Sequence, residues 1–291
     1  MPNPSPLRYP GGKYRLANFI SLAIKNLCLH NCTYIEPFAG GAGIAMYLLF
    51  NGIVENVVIN DYDKAIYSFW RAVKQEHNAL IEKIIKTPIT INEWYKQRDI
   101  YLNSKSYSVD LAFATLFLNR TNHSGILNAG PIGGYKQSGI WKLNARFNKY
   151  NLIEKINMIA NYKQHIHVYN KDIISFLNKY GKNFGSNAFY YFDPPYYNKG
   201  QKLYKNFFTH QDHKRIHDVI TTEAIAPWII TYDDVKEIAG LYSEFYLRHF
   251  DLTYSAANKG IASELMIFSD IQSCPTGSQL SQNKIMINLR P

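Results

Sequence analysis

A single stretch decides the fold, and it reads Phe189-Tyr190-Tyr191-Phe192-Asp193-Pro194-Pro195-Tyr196. Its first half is an aromatic run, which is typical of a buried strand. The two prolines end that strand, because proline fixes φ and has no N–H for a sheet ladder. The stretch therefore predicts one carboxylate and one ring on a stiff loop at the carboxyl end of a strand, where open α/β sheets bind ligands. Such a loop suits a planar amine, for example a nucleobase with an exocyclic NH₂.

The composition around this stretch indicates a large, basic globular chain. The 291 residues are 46% hydrophobic with mean hydropathy −0.26, which allows one α/β domain plus an inserted subdomain. A net charge of +10 and a pI near 9.3 fit either a merely basic surface or nucleic acid as partner, and charge alone does not decide between the two. Three cysteines suit a reducing compartment, and neither a signal peptide nor an apolar run of membrane-spanning length is present. We expect a cytoplasmic protein.

A glycine-rich turn earlier in the chain predicts the first unit of a nucleotide-binding sheet. A short strand at 33–38 runs into Ala39-Gly40-Gly41-Ala42-Gly43, and an apolar helix follows. The next strand ends in Asn60-Asp61, roughly twenty residues after the glycines, where such folds place an acid on a ribose diol. Asp61 or Asp63 can instead cap the following helix, and one acid can bind while the other caps.

The alternation of strands and helices breaks between residues 74 and 165. Helices are predicted at 77–86, 92–102 and 111–118. A polar, glycine-rich segment at 120–139 follows, and it is nearly free of acids. Its amides suit base edges and its cations suit phosphates, and loops of this length are uncommon unless functional. We therefore favour nucleic-acid contact here over an ordinary mobile loop.

The alternation resumes after a helix near 150–161. Strands are predicted at 165–169, 189–192 and 228–231, a basic loop at 197–209, a helix at 211–223, a closing hairpin at 245–252 and 265–268, a polar linker at 270–283 and a short strand at 284–289. Asp172 either caps the helix that it precedes or faces the ligand crevice. The hairpin would add one reversed strand.

Three histidines raise the question of a metal site. His210, His213 and His217 lack the Glu of an H-E-x-x-H motif and a further ligand set, so we interpret them as surface or packing residues and expect no metal. P-loop and nucleophile-elbow motifs are absent from the sequence.

Together these motifs resemble the Dam-like alpha group of DNA adenine N6-methyltransferases, the D12 class, over residues 6–269. The matching segments are Leu7–Lys13 and Glu36–Gly41 for cofactor binding, Asn60-Asp61 for the ribose, Lys171-Asp172-Ile173 for the cofactor's adenine, Asn119–Gly139 for DNA recognition and Asp193-Pro194-Pro195-Tyr196 for catalysis. Their order is the family's alpha arrangement.

The resemblance implies a fold and a division of the chain. The fold would be a Rossmann-like class I methyltransferase sheet, mostly parallel with a reversed strand, plus an inserted, mainly helical DNA-recognition subdomain. Residues 1–73 and 163–291 would form the S-adenosylmethionine-binding catalytic domain, and residues 74–162 the target-recognition domain.

The family resemblance also implies a reaction and the residues that carry it out. The methyl group of S-adenosylmethionine would pass to a flipped adenine at a specific site in duplex DNA, in restriction-modification or epigenetic marking. The implied catalytic residues are Asp193, Pro194, Pro195 and Tyr196. The implied cofactor-binding residues are Tyr9, Lys13, Pro37, Phe38, Ala39, Gly40, Gly41, Asp61, Asp172, Ile173 and Asp193. The predicted DNA contacts are Arg8, Arg120, Asn122, Ser124, Lys136 and Arg146. We expect a monomer without a membrane segment, and a cognate restriction endonuclease acting separately is a possible partner.

Two residues depart from the family pattern, and other functions stay open. Tyr9 stands where relatives often have Trp, and Ala42 replaces the second glycine of F-x-G-x-G, which puts the local backbone path in question. The alternatives are methylation of cytosine N4, of adenine in RNA or of a protein glutamine, an inactive DNA-binding module, and an NAD-dependent dehydrogenase. Asp at 193 argues against cytosine N4, and the basic insertion argues against a protein substrate. The intact Asp193–Tyr196 motif argues against an inactive module and is not explained by a dehydrogenase.

Overall fold

The computed structural model describes residues 2–9, 12–198, 208–253 and 261–291. Most of the basic loop predicted at 197–209 lies outside these ranges, as do Pro10 and Gly11 of the N-terminal motif.

The described residues form an α/β fold. Its strands are β1 (Thr33–Glu36), β2 (Asn56–Asn60), β3 (Ile166–Tyr169), β4 (Ala188–Phe192), β5 (Trp228–Asp233), β6 (Tyr246–Thr253), β7 (Ile261–Phe268) and β8 (Leu289–Arg290). Its α-helices are α1 (Ala17–Asn26), α2 (Gly43–Phe50), α3 (Lys64–Gln75), α4 (His77–Lys86), α5 (Ile91–Asn103), α6 (Val109–Thr121), α7 (Lys149–Asn161), α8 (Ile173–Tyr180), α9 (His210–Glu223), α10 (Lys236–Leu241) and α11 (Gly277–Gln282).

The strands form one sheet in the order β3-β2-β1-β4-β5-β7-β6-β8. β1, β4 and β5 pair in parallel, and β7 lies antiparallel between β5 and β6. The predicted Rossmann-like sheet with a reversed strand is therefore confirmed. β8 adds a two-residue antiparallel pairing with β6 at the edge.

The aromatic run Phe189–Phe192 belongs to β4, which lies at the centre of this sheet. All five of its residues are buried. The rings of Tyr190 and Phe192, two residues apart and therefore on the same face, stack with centroids 5.5 Å apart. The strand ends where Pro194 and Pro195 follow, so the chain leaves the sheet at Asp193.

The chain divides into two compact units. Unit 1 comprises residues 1–14, 40–47 and 59–170, and unit 2 comprises residues 15–39, 48–58 and 171–291. In unit 1, the apolar helix α6 is capped by Ser108 and packs against α3 and α5. In unit 2, α8 packs against α9. These bounds differ from the functional division at 74–162, which stays a prediction.

Three local features differ from the sequence prediction. The segment 270–283 contains a helical turn and the helix α11, where Thr276 and Gln279 form a reciprocal capping box. The final strand is limited to Leu289–Arg290. Helix α10 follows β5 and was not predicted.

Candidate active site

In unit 1, the glycine turn is tied to the acid that ends the second strand. Gly40 has φ +45° and donates its N–H to Oδ2 of Asp61 at 2.8 Å. The Gly40 carbonyl accepts the indole N–H of Trp70 at 2.9 Å. Asn170, just after β3, donates to the Asp61 carbonyl at 2.7 Å. Asp61 is therefore fixed through both its side chain and its backbone.

Asp63, and not Asp61, caps the helix α3, so the Asp61 carboxylate is available to bind a ligand. The Asp63 carboxylate accepts from the N–H of Ala65 and is the N-cap of α3. The Asp61 carboxylate accepts from the N–H groups of Gly40 and Asp63, one on each oxygen. Because an ionised carboxylate has about four acceptor positions, each oxygen keeps capacity for a further donor.

The protonation of Asp61 is set by two opposing effects. Burial in the surrounding protein raises its pKa to about 7, although the backbone N–H groups of Asp63 and Gly40 favour the ionised form. Asp61 therefore changes charge close to neutral pH.

Tyr9 lies against the glycine turn. A Cβ added at Gly40 would lie 2.7 Å from a ring carbon of Tyr9, and one at Gly41 would lie 3.0 Å from the Tyr9 Cβ. Glycine at 40 is therefore required both by its positive φ and by the close ring. Lys13, in the same N-terminal motif, is 6% exposed.

Ala42 keeps the backbone conformation expected of the glycine that it replaces. It is buried and adopts φ +43°, in the left-handed region. For an L-residue this conformation costs roughly 1–2 kcal/mol. The path of the turn is thus retained at a cost in stability.

In unit 2, Asp193 is held by a side chain of the neighbouring strand β5. Its Oδ1 accepts the hydroxyl of Thr231 at 3.1 Å, and Thr231 shares a second hydrogen bond of 2.8 Å with the hydroxyl of Tyr191. Burial and the charge of Asp193 raise the pKa of Tyr191 well above its usual value, so this phenol stays protonated. The orientation of the carboxylate is therefore determined by the sheet.

Tyr196 and the residues after it are fixed by two further acids. The buried Tyr196 donates its hydroxyl to Oε1 of Glu264 at 2.6 Å. The carboxylate of Asp233 accepts from the N–H groups of Tyr197 at 2.7 Å and Asn198 at 2.9 Å. The loop that carries the ring is thus bonded to β5 and β7.

The sequence interpretation missed Thr231, Asp233 and Glu264. Polar residues within the apolar runs 228–233 and 263–268 were the available signal. The groups to which they hydrogen-bond could be identified only from the pairing register of β5 and β7.

The remaining predicted cofactor residues lie at strand-to-helix junctions. Pro37, Phe38 and Ala39 form the turn after β1, and Phe38 is the most exposed of the three. Asp172 is the N-cap of α8 and accepts from the N–H of Ser175 at 2.9 Å. Desolvation alone would raise the pKa of Asp172, but hydrogen bonds from Ser175 and from the backbone of Asp172 and Ile174 together outweigh it and lower the pKa. Ile173 is buried at the start of the helix.

Three of the predicted DNA contacts form a cationic cluster in unit 1, which consists of Arg8, Arg120 and Arg146. Arg8 and Arg146 line an open cavity of about 470 Å³, together with Ser124. Burial, then Arg8 and Arg146, lower the pKa of Arg120 to about 10. Nη1 of Arg8 and Nε of Arg120 are buried without a hydrogen-bond acceptor. Each of these two guanidinium groups therefore keeps one buried N–H that no acceptor among the described residues satisfies.

The other predicted DNA contacts lie in different environments. Asn122 is 0% exposed: its Oδ1 accepts the indole N–H of Trp94 at 2.6 Å, and its Nδ2 donates to the carbonyls of Ile126 and Leu127. This side chain holds the loop and presents no surface to a base. Lys136 is exposed.

Neither a membrane helix nor a metal cluster is found among the described residues. None of the helices there is long and apolar enough to cross a membrane, and no group of three His, Cys, Asp or Glu side chains in the same ranges is placed to hold a metal. His213 is buried and hydrogen-bonded to Tyr232 at 3.1 Å.

Comparison with known proteins gives the family. Residues 9–256 match the profile of the D12 class N6 adenine-specific DNA methyltransferases. Type II methyltransferase M.MjaIII of Methanocaldococcus jannaschii is 25% identical over 210 residues, covering 65% of this chain and 68% of that protein. Type II methyltransferase M1.LlaDCHI of Lactococcus lactis subsp. cremoris is 22% identical over 288 residues, covering 89% and 93%.

Among solved structures, the rRNA methyltransferase aviRa from Streptomyces viridochromogenes is 13% identical and covers 95% of this chain and 91% of that chain, with a TM-score of 0.38. A similarity this weak bears on neither fold nor function. The profile match, by contrast, runs through the glycine turn, the recognition segment and the Asp193–Tyr196 motif. The chain therefore belongs to the family of D12 class N6 adenine-specific DNA methyltransferases, and its activity is the methylation of adenine in DNA.

Proposed function

We propose that the protein transfers a methyl group from S-adenosylmethionine to N6 of an adenine that is flipped out of duplex DNA at a specific target site. The observation that carries this proposal is that two side chains after β4 are both held in place by hydrogen bonds. Asp193 is oriented by Thr231, and Tyr196 is oriented by Glu264. An acceptor and a flat ring, both held by the sheet, suit an aromatic amine that is delivered from outside.

Residues of the glycine turn fit the proposed cofactor. The ring of Tyr9 lies so close to Gly40 that a Cβ there would collide with it, and each Asp61 oxygen keeps acceptor capacity for a ribose hydroxyl. When bound, S-adenosylmethionine supplies a methyl group on a positively charged sulfur. We assign Tyr9 and Lys13 to the methionine end and Asp172 to the adenine. The further proposed cofactor-binding residues are Pro37, Phe38, Ala39, Gly41 and Ile173.

Asp193 and Pro194 act on the amine of the target base. The Asp193 carboxylate and the Pro194 carbonyl accept hydrogen bonds from N6, which keeps lone-pair density on the nitrogen and directs it. Tyr196 stacks on the base and sets its plane. Since no covalent bond to the protein is formed, these residues contribute through orientation and electrostatics.

The cationic cluster is the proposed contact with DNA. Arg8 and Arg120 each keep a buried N–H without an acceptor among the described residues, and burial together with the charges of Arg8 and Arg146 lowers the pKa of Arg120. A backbone phosphate would supply an anion for this cluster. Ser124 and Lys136 are accessible for further contacts. We retain residues 74–162 as the proposed recognition domain, and we assign Asn122 to holding its loop.

A role in restriction-modification is proposed from the names of the relatives, which are type II methyltransferases. The enzyme would then act as a monomer in the cytoplasm beside a separate endonuclease. Of the alternative functions, cytosine N4 methylation and the dehydrogenase are set aside, because the family acts on adenine N6.

Expression in a host without DNA methylation, followed by direct sequencing of modified bases, tests the proposal. We expect N6-methyladenine at one short sequence throughout the genome. Modified cytosine alone, or no modified base, would contradict it.

A further inference from the structure

The reversed strand β7 carries a buried carboxylate that the proposed mechanism does not use. Glu264 is 2% exposed and sits opposite Asp233 of β5 in the antiparallel register. A buried carboxylate is costly unless hydrogen bonds compensate its lost hydration. Oε1 of Glu264 accepts a hydrogen bond from the Tyr196 hydroxyl at 2.6 Å.

Glu264 belongs to a group of polar side chains on one face of two adjacent strands. Thr231 and Asp233 are two residues apart on β5 and therefore point to the same face, and Glu264 is the direct cross-strand neighbour of Asp233. These three side chains contact Asp193, the backbone after Tyr196, and the Tyr196 hydroxyl, respectively.

The position of the Tyr196 ring is consequently fixed at both ends. Asp233 holds the backbone at Tyr197 and Asn198, and Glu264 holds the hydroxyl at the far end of the ring. Tyr196 itself is 6% exposed, so packing limits its movement further. Loss of the Glu264 bond would free the end of the ring that the backbone does not control.

We propose that Glu264 is a positioning residue for methyl transfer, and that its hydrogen bond fixes the Tyr196 ring in the plane on which the target adenine stacks. This inference rests on the proposed role of Tyr196. The transfer requires N6 to point in one direction, and small displacements of a reacting group lower rates strongly. Glu264 therefore acts on the rate of the chemical step and leaves DNA affinity unchanged.

Four variants test this role on the mapped target duplex. They are Tyr196→Phe, which removes only the hydroxyl, Glu264→Leu, Glu264→Gln, and the double variant Tyr196→Phe/Glu264→Leu. Glu237→Gln is the matched control, because Glu237 is an exposed acid on α10. We measure single-turnover rates, DNA affinity, and the fluorescence of 2-aminopurine placed at the target position.

The expected result is coupling between the two residues. Tyr196→Phe and Glu264→Leu should each slow single turnover roughly 10- to 100-fold with DNA affinity unchanged. The double variant should be no slower than the slower of the two single variants. Glu264→Gln retains a carbonyl acceptor and should recover most of the rate. The 2-aminopurine fluorescence should rise in the slow variants, because a loosened ring stacks on the flipped base less well.

Other results overturn the proposal. A normal single-turnover rate in Tyr196→Phe contradicts it even if Glu264→Leu fails to fold, and so do additive losses in the double variant. Failure of the proposed function looks different, since the wild-type protein would then form no N6-methyladenine in the same assay.

Discussion

The backbone N–H of Gly40 donates a hydrogen bond of 2.8 Å to the carboxylate of Asp61. This bond ties the glycine turn to the acid at the end of β2, although 21 positions separate the two residues. It favours the ionised form of Asp61, whereas burial favours the neutral form and raises the pKa to about 7. Cofactor binding should therefore depend on pH.

We expect S-adenosylmethionine to bind about tenfold more tightly at pH 8 than at pH 6, because a carboxylate with a pKa near 7 is mostly ionised only at the higher pH. Isothermal titration calorimetry at both pH values measures this difference. Asp61→Asn should bind weakly and lose the difference. An equal pH dependence in wild type and Asp61→Asn would assign the titration to another group.

The raised pKa of Asp61 also affects stability, but in the opposite direction: the free energy of unfolding should fall as the pH rises. Because the folded state raises the pKa of Asp61, the stabilisation from its protonated form is complete below the unfolded pKa, which is close to 4. It is lost as the pH rises towards 7. Urea unfolding measures this effect. Between pH 5 and pH 8, the free energy of unfolding should fall less in Asp61→Asn than in wild type.

Ala42→Gly should stabilise the protein. Ala42 has φ +43°, and glycine adopts this conformation without the steric cost, although it adds entropy to the unfolded chain. We expect a gain of about 1 kcal/mol in the free energy of unfolding, measured in urea. Gly43→Ala, at the next position, is the comparison. A loss of stability in Ala42→Gly would mean that the turn follows another path.

Arg120→Ala should weaken binding to duplex DNA and flatten its salt dependence. If Arg120 neutralises one phosphate, the slope of log K against log salt should fall by about 0.9. Fluorescence anisotropy between 50 and 200 mM salt measures both effects. Lys25→Ala, an exposed cation on α1, should leave them unchanged. If the slope of log K against log salt is unaltered in Arg120→Ala, Arg120 does not contact a DNA phosphate.

Asn122→Ala should act through stability. It leaves the indole N–H of Trp94 and the carbonyls of Ile126 and Leu127 without their partner, at a cost of about 2–3 kcal/mol. Thermal unfolding provides the measurement. A variant with unchanged stability but altered target preference would restore Asn122 as a DNA contact.

Local patterns predicted much of this molecule. The aromatic run of β4 and the apolar helix α6 are visible in sequence because each must be buried along its length. The prolines after Asp193 marked the end of the central strand. These features depend on neighbours in the chain, which a single sequence contains.

The partners of the predicted residues depended on tertiary register instead. Glu264 is 68 positions from Tyr196, and Asp233 is 36 positions from Tyr197, so no local pattern pairs them. The burial of Asn122 was hidden for the same reason, because Trp94 lies 28 positions away. Composition marked its segment as polar but did not show which side chains face inward.

The most direct test of the central claim is the methylation of duplex DNA by wild-type protein and by Asp193→Ala, with nucleosides analysed by mass spectrometry. We predict N6-methyladenine with the wild type and none with Asp193→Ala, while both bind the duplex with the same affinity. Near-normal formation of N6-methyladenine by Asp193→Ala would contradict the assignment of the catalytic residue. A product other than N6-methyladenine from the wild type would contradict the assigned reaction.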